Sequence, residues 1–206
     1  MIRYRIQKKS KLEFFVSIVL FFLLLYAWIS LSSCVHKVPS NPDNICTIFD
    51  DKWRWHKHAK KSQKKWGTPI HVQMAILKQE SGFQYDAKPG RKKLLGFIPW
   101  KRKSSAYGYA QVLNATWKEY IKATGNKGAD RDNFKDAIDF VGWYTNKSHK
   151  KAKISKWDAY NQYLAYHEGQ GGYLKKSYNK KKWLLTVAKK VETQSKKYAL
   201  QIKSCQ

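Results

Sequence analysis

Four times in this chain, apolar residues spaced three or four apart run up to a glycine and stop, and that pattern confines the fold to packed helices. Trp55, Ala59, Ser62 and Trp66 run to Gly67; Ile70, Met74 and Leu77 to Gly82; Trp117, Tyr120 and Ile121 to Gly125; Tyr160, Tyr163, Leu164 and His167 to Gly169. Such a period stacks side chains on one helical face, and a glycine just past the end accepts the left-handed backbone that closes a helix. Two more stretches keep the period: Phe134, Ala137, Ile138, Val141 and Tyr144, then Leu184, Val187, Ala188, Val191, Tyr198 and Ile202. The expected N-caps are Thr68 with Pro69 as first helical residue, Asn114, Asp132 or Asn133, and a capping box from Ser155 to Asp158. No convincing alternating strand longer than a few residues occurs, and residues 88–105, with Pro89, Gly90, Gly96 and Pro99, read as a long loop or small hairpin between helices. The fold class is mainly α, in one compact domain.

The first thirty or so residues stand apart. Arg3, Arg5, Lys8, Lys9 and Lys11 precede an apolar run over residues 14–29, which ends in Leu31, Ser32, Ser33 and Cys34. A basic segment, an apolar segment and a small-residue junction make a secretory signal. The Leu-Ser-Ser-Cys ending resembles a bacterial lipobox, in which Cys34 becomes the lipid-bearing first residue; an uncleaved signal anchor is the competing reading, since the run is close to the lower length of a membrane span. The division is then 1–33 signal peptide, 34–45 linker and 46–206 domain, the linker resting on its two Pro, two Asn and one Ser without apolar period. Either reading faces the domain to the periplasm, and Val35 after Cys34, in place of the Asp of inner-membrane retention, favours the outer membrane by resemblance.

Forty-one Lys and Arg against fourteen Asp and Glu leave a formal charge of +27. The partner is then polyanionic: nucleic acid, an acidic membrane surface or an acidic wall polymer. Much of the Lys lies in runs at 60–65, 147–156 and 175–182, which a solvated surface accounts for equally well. Aromatic residues make up 15% of the chain, which excludes disorder despite the charge. Cys46 and Cys205 lie near the two ends of the domain, and in an oxidising compartment two spare thiols invite a disulfide, with two free buried thiols as the alternative.

The informative helix is the one that ends at Glu80 and Ser81 before Gly82. Ile70, Met74 and Leu77 define its inner face, and three residues on from Leu77 is Glu80, so the carboxyl continues that face into the last turn. Desolvation and the negative end of the helix dipole both disfavour its ionised form, and no Lys lies three or four residues earlier to offset them. A raised pKa follows, which suits a general acid near neutral pH.

At this point the chain resembles the lysozyme-like lytic transglycosylases of the SLT superfamily, with a goose-type-lysozyme helical fold. Their helix-terminal Glu-Ser is Glu80-Ser81; their Gly-Leu-Met-Gln is matched loosely by Gly108, Tyr109, Ala110 and Gln111; their Ala-Tyr-Asn-x-Gly is matched by Ala165, Tyr166, His167, Glu168 and Gly169. The departures are Tyr109-Ala110 for Leu-Met and His167 for Asn. The resemblance implies cleavage of the bond between N-acetylmuramic acid and N-acetylglucosamine with a 1,6-anhydro product, Glu80 serving as acid and then base. It implies glycan contacts at Ser81, Tyr109, Gln111, Tyr166, His167 and Glu168. Tyr166 reads equally as a core aromatic, and Phe97 and Trp100 either stack on sugars or pin their loop. A two-carboxylate hydrolase would draw its second carboxylate from Asp86 or Glu168.

No cofactor is expected, and no metal: a zinc-protease reading of His167-Glu168 needs a second His where Gly171 stands. Neither Cys46 nor Cys205 has a ligand at metal spacing, and His36, His56, His58, His71 and His149 show no triad spacing. The expected partners are peptidoglycan strands and, through the lipid anchor, the membrane, for a monomer. Competing functions are a hydrolytic muramidase, a catalytically silent glycan-binding lipoprotein and a nucleic-acid binder, the last opposed by export.

Overall fold

A computed structural model describes residues 11–31, 37–94, 98–102 and 104–205. Cys34, Phe97 and the side chain of Trp100 lie outside the described residues. The chain divides into two units, 1–36 and 37–206. In the first, α1 (Lys11–Leu31) carries exposed apolar side chains, among them Phe14, Phe15, Leu20, Phe22 and Leu24.

The second unit holds the rest. It runs α2 (Ile45–Asp51), α3 (Trp53–Trp66), α4 (Ile70–Ser81), the strands β1 (Arg91–Leu94) and β2 (Ile98–Arg102), then α5 (Asn114–Thr124), α6 (Phe134–Ala152), α7 (Ala159–Leu174), a 3-10 turn (Ser177–Lys180) and α8 (Lys182–Gln201). The two strands form an antiparallel hairpin that pairs Arg91 with Arg102 and Leu94 with Ile98.

Helix α4 is the hub, touched by α3, α6, α7 and α8. The spacing suggested one apolar face; in fact Val72, Gln73, Met74, Ala75, Ile76 and Leu77 are all buried, so the helix is enclosed on every side until its last turn. A buried Gln in such a helix needs partners. Gln73 donates from Nε2 to the Thr68 carbonyl at 2.7 Å and accepts from Ser62 Oγ at 2.8 Å.

The aromatic residues make two core clusters. Trp55 stacks flat on Phe134 at 3.8 Å with Tyr109 edge-on to both, while Trp117, Tyr120, Phe140, Trp143 and Tyr144 fill the space between α5 and α6. Here lies the reason that so charged a chain folds: these clustered rings build the core, while most of the Lys side chains lie outside it.

Three caps differ from expectation. Pro69, not Thr68, is the N-cap of α4, because the Thr68 hydroxyl is held by Thr145 at 2.7 Å in the core. Leu113, not Asn114, precedes α5, whose first turn takes its anchor from Ser105 Oγ, an acceptor 3.1 Å from the Asn114 nitrogen. Asp158 itself caps α7, accepting from Asn161 N at 3.0 Å, and Ser155 serves the turn before it. Asn133 caps α6 as one of the two residues expected there, while Asp132 accepts from Tyr107 instead.

The linker reading of 34–45 also needs correction over its described part, since the folded unit already includes residue 37. Ser40 donates to Asp51, the Pro42 carbonyl accepts from Tyr198, and Asp43 pairs with Lys78. Polar residues lacking a period still found partners on α2, α4 and α8. Cys46 and Cys205 are bonded to each other, their Cα atoms 5.3 Å apart, which fastens α2 to the end of α8.

Candidate active site

The last turn of α4 opens onto a cleft of about 570 Å3 lined by Glu80, Gln111, Tyr144, Tyr166, His167 and Glu168, together with Leu113 and with Pro89 and Ser104, which flank the hairpin in the chain. Local backbone explains how the chain gets there. Gly82 closes α4 in the left-handed region at φ 59°, and Phe83 follows at φ 67°. That conformation is uncommon for a bulky residue, and burial of the ring against Trp55 holds it there. Glu80 is thereby left in the last turn of the hub helix, with one edge toward the cleft.

Enclosure pushes the Glu80 carboxyl up from its ordinary 4.5 to about 7, even though the Tyr163 hydroxyl donates to it and works the other way. The side chain keeps limited solvent contact, which the cleft supplies. Tyr163 and Tyr166 stay neutral: burial and the nearby Glu80 push both phenols up. Tyr163 went unrecognised in the sequence because it reads as one more core position of its helix, although it stands one turn before Tyr166.

The second motif forms a tight turn. A Cβ at Gly108 would lie 2.1 Å from the Arg131 carbonyl oxygen, so only glycine lets the turn approach α6's entry loop. Arg131 braces the same turn, donating to the Ser105 and Val112 carbonyls at 2.9 and 2.7 Å. Gln111 sits at φ 46°, and its amide donates to the carbonyls of Ala87 and Gly108 at 2.8 and 2.9 Å. Both amide protons being committed, its carbonyl oxygen is what remains for a ligand.

Tyr109 is corrected outright: it is 4% exposed in the Trp55 cluster and does not line the cleft. The small, buried Ala110 beside it offers its carbonyl to the Tyr166 hydroxyl at 2.6 Å, so Tyr166 is both core aromatic and cleft wall. Ser81 turns its hydroxyl back to the Leu77 carbonyl at 3.4 Å and is not among the lining residues.

The third motif does not end its helix. Gly169, at φ 71° and ψ 161°, bends α7, which resumes to Leu174. That backbone is accessible to glycine and hardly to anything else. Just before the bend, Glu168 accepts from His167 Nδ1 at 2.9 Å, from Lys181 Nζ at 2.6 Å and from Ser177 Oγ. Its partial desolvation opposes ionisation, but the three donors outweigh it and hold the carboxyl down at about 2. Asp86 accepts from Gln84 at 3.1 Å and does not line the cleft.

Two carboxyls therefore face one cleft in opposite states near neutrality, Glu80 able to hold a proton and Glu168 held ionised by its donors. Residues 22–205 match the family described as the transglycosylase SLT domain. No curated protein matches the chain.

Proposed function

We propose, for a chain that belongs to the transglycosylase SLT domain family and so acts on peptidoglycan in the manner of a lytic transglycosylase, that Glu80 alone carries the proton chemistry. The observation that supports this most is the contrast between the two carboxyls of the cleft. Glu80 is enclosed and protonated up to about pH 7, whereas Glu168 is spent on Lys181, Ser177 and His167.

The steps follow from that contrast. The Glu80 proton passes to the glycosidic oxygen between the muramoyl and glucosaminyl rings as the C1–O bond breaks. The carboxylate so formed, enclosed by protein on most sides, faces a developing positive charge at C1, where its attraction is strong. It then takes the proton of the muramoyl C6 hydroxyl while that oxygen bonds to C1, giving the 1,6-anhydro ring. No water is consumed and Glu80 ends protonated, ready for another turn. Tyr163, donating to the carboxylate form, steadies it between the two transfers. Gln111, Tyr166 and His167 line the path of the strand.

A hydrolytic muramidase is the second reading, favoured by the presence of Glu168 in the same cleft. Digestion of purified peptidoglycan with product mass spectrometry separates the two. Products lighter by one water than hydrolytic muropeptides are expected; reducing-end products throughout would establish hydrolysis.

We place the enzyme on the periplasmic side of the cell envelope, tethered at Cys34 to the outer membrane, on the basis of the basic and apolar segments before the Leu31 to Cys34 junction. Acyl labelling that vanishes in Cys34→Ala is expected. A wild-type chain that never takes up label would favour an uncleaved anchor.

A further inference from the structure

Among the described side chains, three tryptophans are largely exposed: Trp53 and Trp157, each 70%, and Trp183 at 55%. An indole left in water forgoes the gain of burial, so its surroundings are informative. Arg54 lies over Trp53 at 4.7 Å, and Trp157 neighbours His71. Trp183 differs in that its neighbour belongs to the cleft. Its ring centroid is 5.0 Å from that of His167, edge to face, and His167 is a cleft wall.

The two rings are also braced. Trp183 stands in the first turn of α8, two residues after Lys181. Lys181 and His167 bind the same oxygen of Glu168, at 2.6 and 2.9 Å, and Ser177 binds the other. One nearly inaccessible carboxylate thus ties the bend of α7, where His167 stands, to the residue just before α8, whose first turn carries Trp183. Rings held this way lose little freedom when a ligand arrives.

We propose that Trp183 and His167 form an outer sugar-binding subsite, at which the indole takes the C–H face of a pyranose ring of the glycan strand beyond the bond being cut. A pyranose is amphipathic, with carbon-bound hydrogens on its faces and hydroxyls around its rim. An exposed indole next to a polar ring matches both parts, the His167 imidazole standing edge to face with it. The inference rests on the glycan-cutting function proposed above and extends it to a preference for longer strands. A ring held alike in the ground and transition states contributes uniform binding, which lowers KM and leaves kcat alone.

The test uses the full-length chain in detergent, carrying Glu80→Gln so that ligand is not consumed. Purified peptidoglycan glycan fragments of increasing length are titrated calorimetrically. Adding Trp183→Ala should weaken binding of long fragments about three- to tenfold, the range of one well-placed aromatic contact, and leave the shortest unchanged. Trp183→Phe should recover most of the loss, and Trp53→Ala or Trp157→Ala should cost nothing. In the active background, Trp183→Ala should raise KM on long strands with kcat held. Equal affinity of Trp183→Ala and its parent for long fragments would overturn the subsite, as would an equal loss at every length or an equal loss in Trp53→Ala. If the Glu80→Gln parent binds no fragment of any length, the glycan-cutting function itself fails and the subsite with it.

Discussion

Where α4 ends, a single carboxyl meets protein on nearly every side, and its proton affinity follows from that contact. The position was legible in the sequence, because residues 70, 74, 77 and 80 share a face and glycine follows. The partner was not, since Tyr163 approaches from α7 and no local pattern announces a contact between distant helices. The folded chain holds the Glu80 proton more tightly than the unfolded chain, with a pKa of about 7 against 4.5. Folding therefore takes up a proton in that window. The stability contribution is complete below 4.5 and is lost as pH rises through about 7. Denaturant midpoints against pH should show this fall in the wild type and not in Glu80→Gln. Tyr163→Phe removes the donor that favours the carboxylate, so Glu80 should hold its proton to higher pH still. The alkaline limb of the rate profile should move upward and turnover should drop a few-fold; an unmoved limb would mean that Tyr163 does not govern the acid.

Helices were the readable part of this chain and their ends the less readable part. Four glycine stops were legible because a left-handed residue after a helix is a local requirement, and Gly67, Gly82 and Gly125 close their helices as the spacing predicts. At Gly169 the same signal marks a bend, because Glu168 on one side and Ser177 and Lys181 on the other hold the chain in a second helical segment. Thr68 and Asn114 failed as caps for tertiary reasons, the hydroxyl of one held in the core by Thr145, the backbone nitrogen of the other taken into the first turn by the Ser105 hydroxyl. Tyr109 was misplaced because a motif position says nothing about which way its side chain leaves the turn. The Glu168 brace gives a prediction at this scale. Its pKa is held at about 2, so its contribution is present above the unfolded value of 4.5 and is lost as pH falls toward 2. Lys181 is substantially exposed, which limits the pair to about 1 kcal/mol, or a melting shift of roughly 2–4 °C in a domain of this size. Glu168→Gln should show that shift in a thermal melt while keeping a substantial fraction of turnover, as should Asp86→Asn without the shift.

At the scale of the whole molecule, the domain is a charged exterior around aromatic clusters, closed by one bond between its ends. The 159-residue separation of Cys46 and Cys205 makes that bond a restraint on the unfolded chain, worth roughly 5 kcal/mol in the loop-entropy account. Cys205→Ser should lower the unfolding free energy by about that amount in a denaturant titration, and reductant should do the same to the wild type but add nothing to the variant. An identical midpoint with and without reductant would show that the thiols are not joined in the protein as isolated. Sequence alone named the two thiols and left their pairing open, because partners this far apart are brought together only by the packing of α2 on α8.

Glu80 is proposed as the one group that gives and takes the proton. Turnover of purified peptidoglycan by Glu80→Gln, measured beside Glu168→Gln and beside melting curves of both, addresses it directly. The amide keeps the shape of the side chain and is cheaper to enclose than a carboxylate, so the fold should survive with a midpoint near or above the wild type. Activity should fall by at least about a hundredfold, the low end of what general acid and base catalysis contributes. Full activity in folded Glu80→Gln, or its abolition in folded Glu168→Gln, would contradict the assignment.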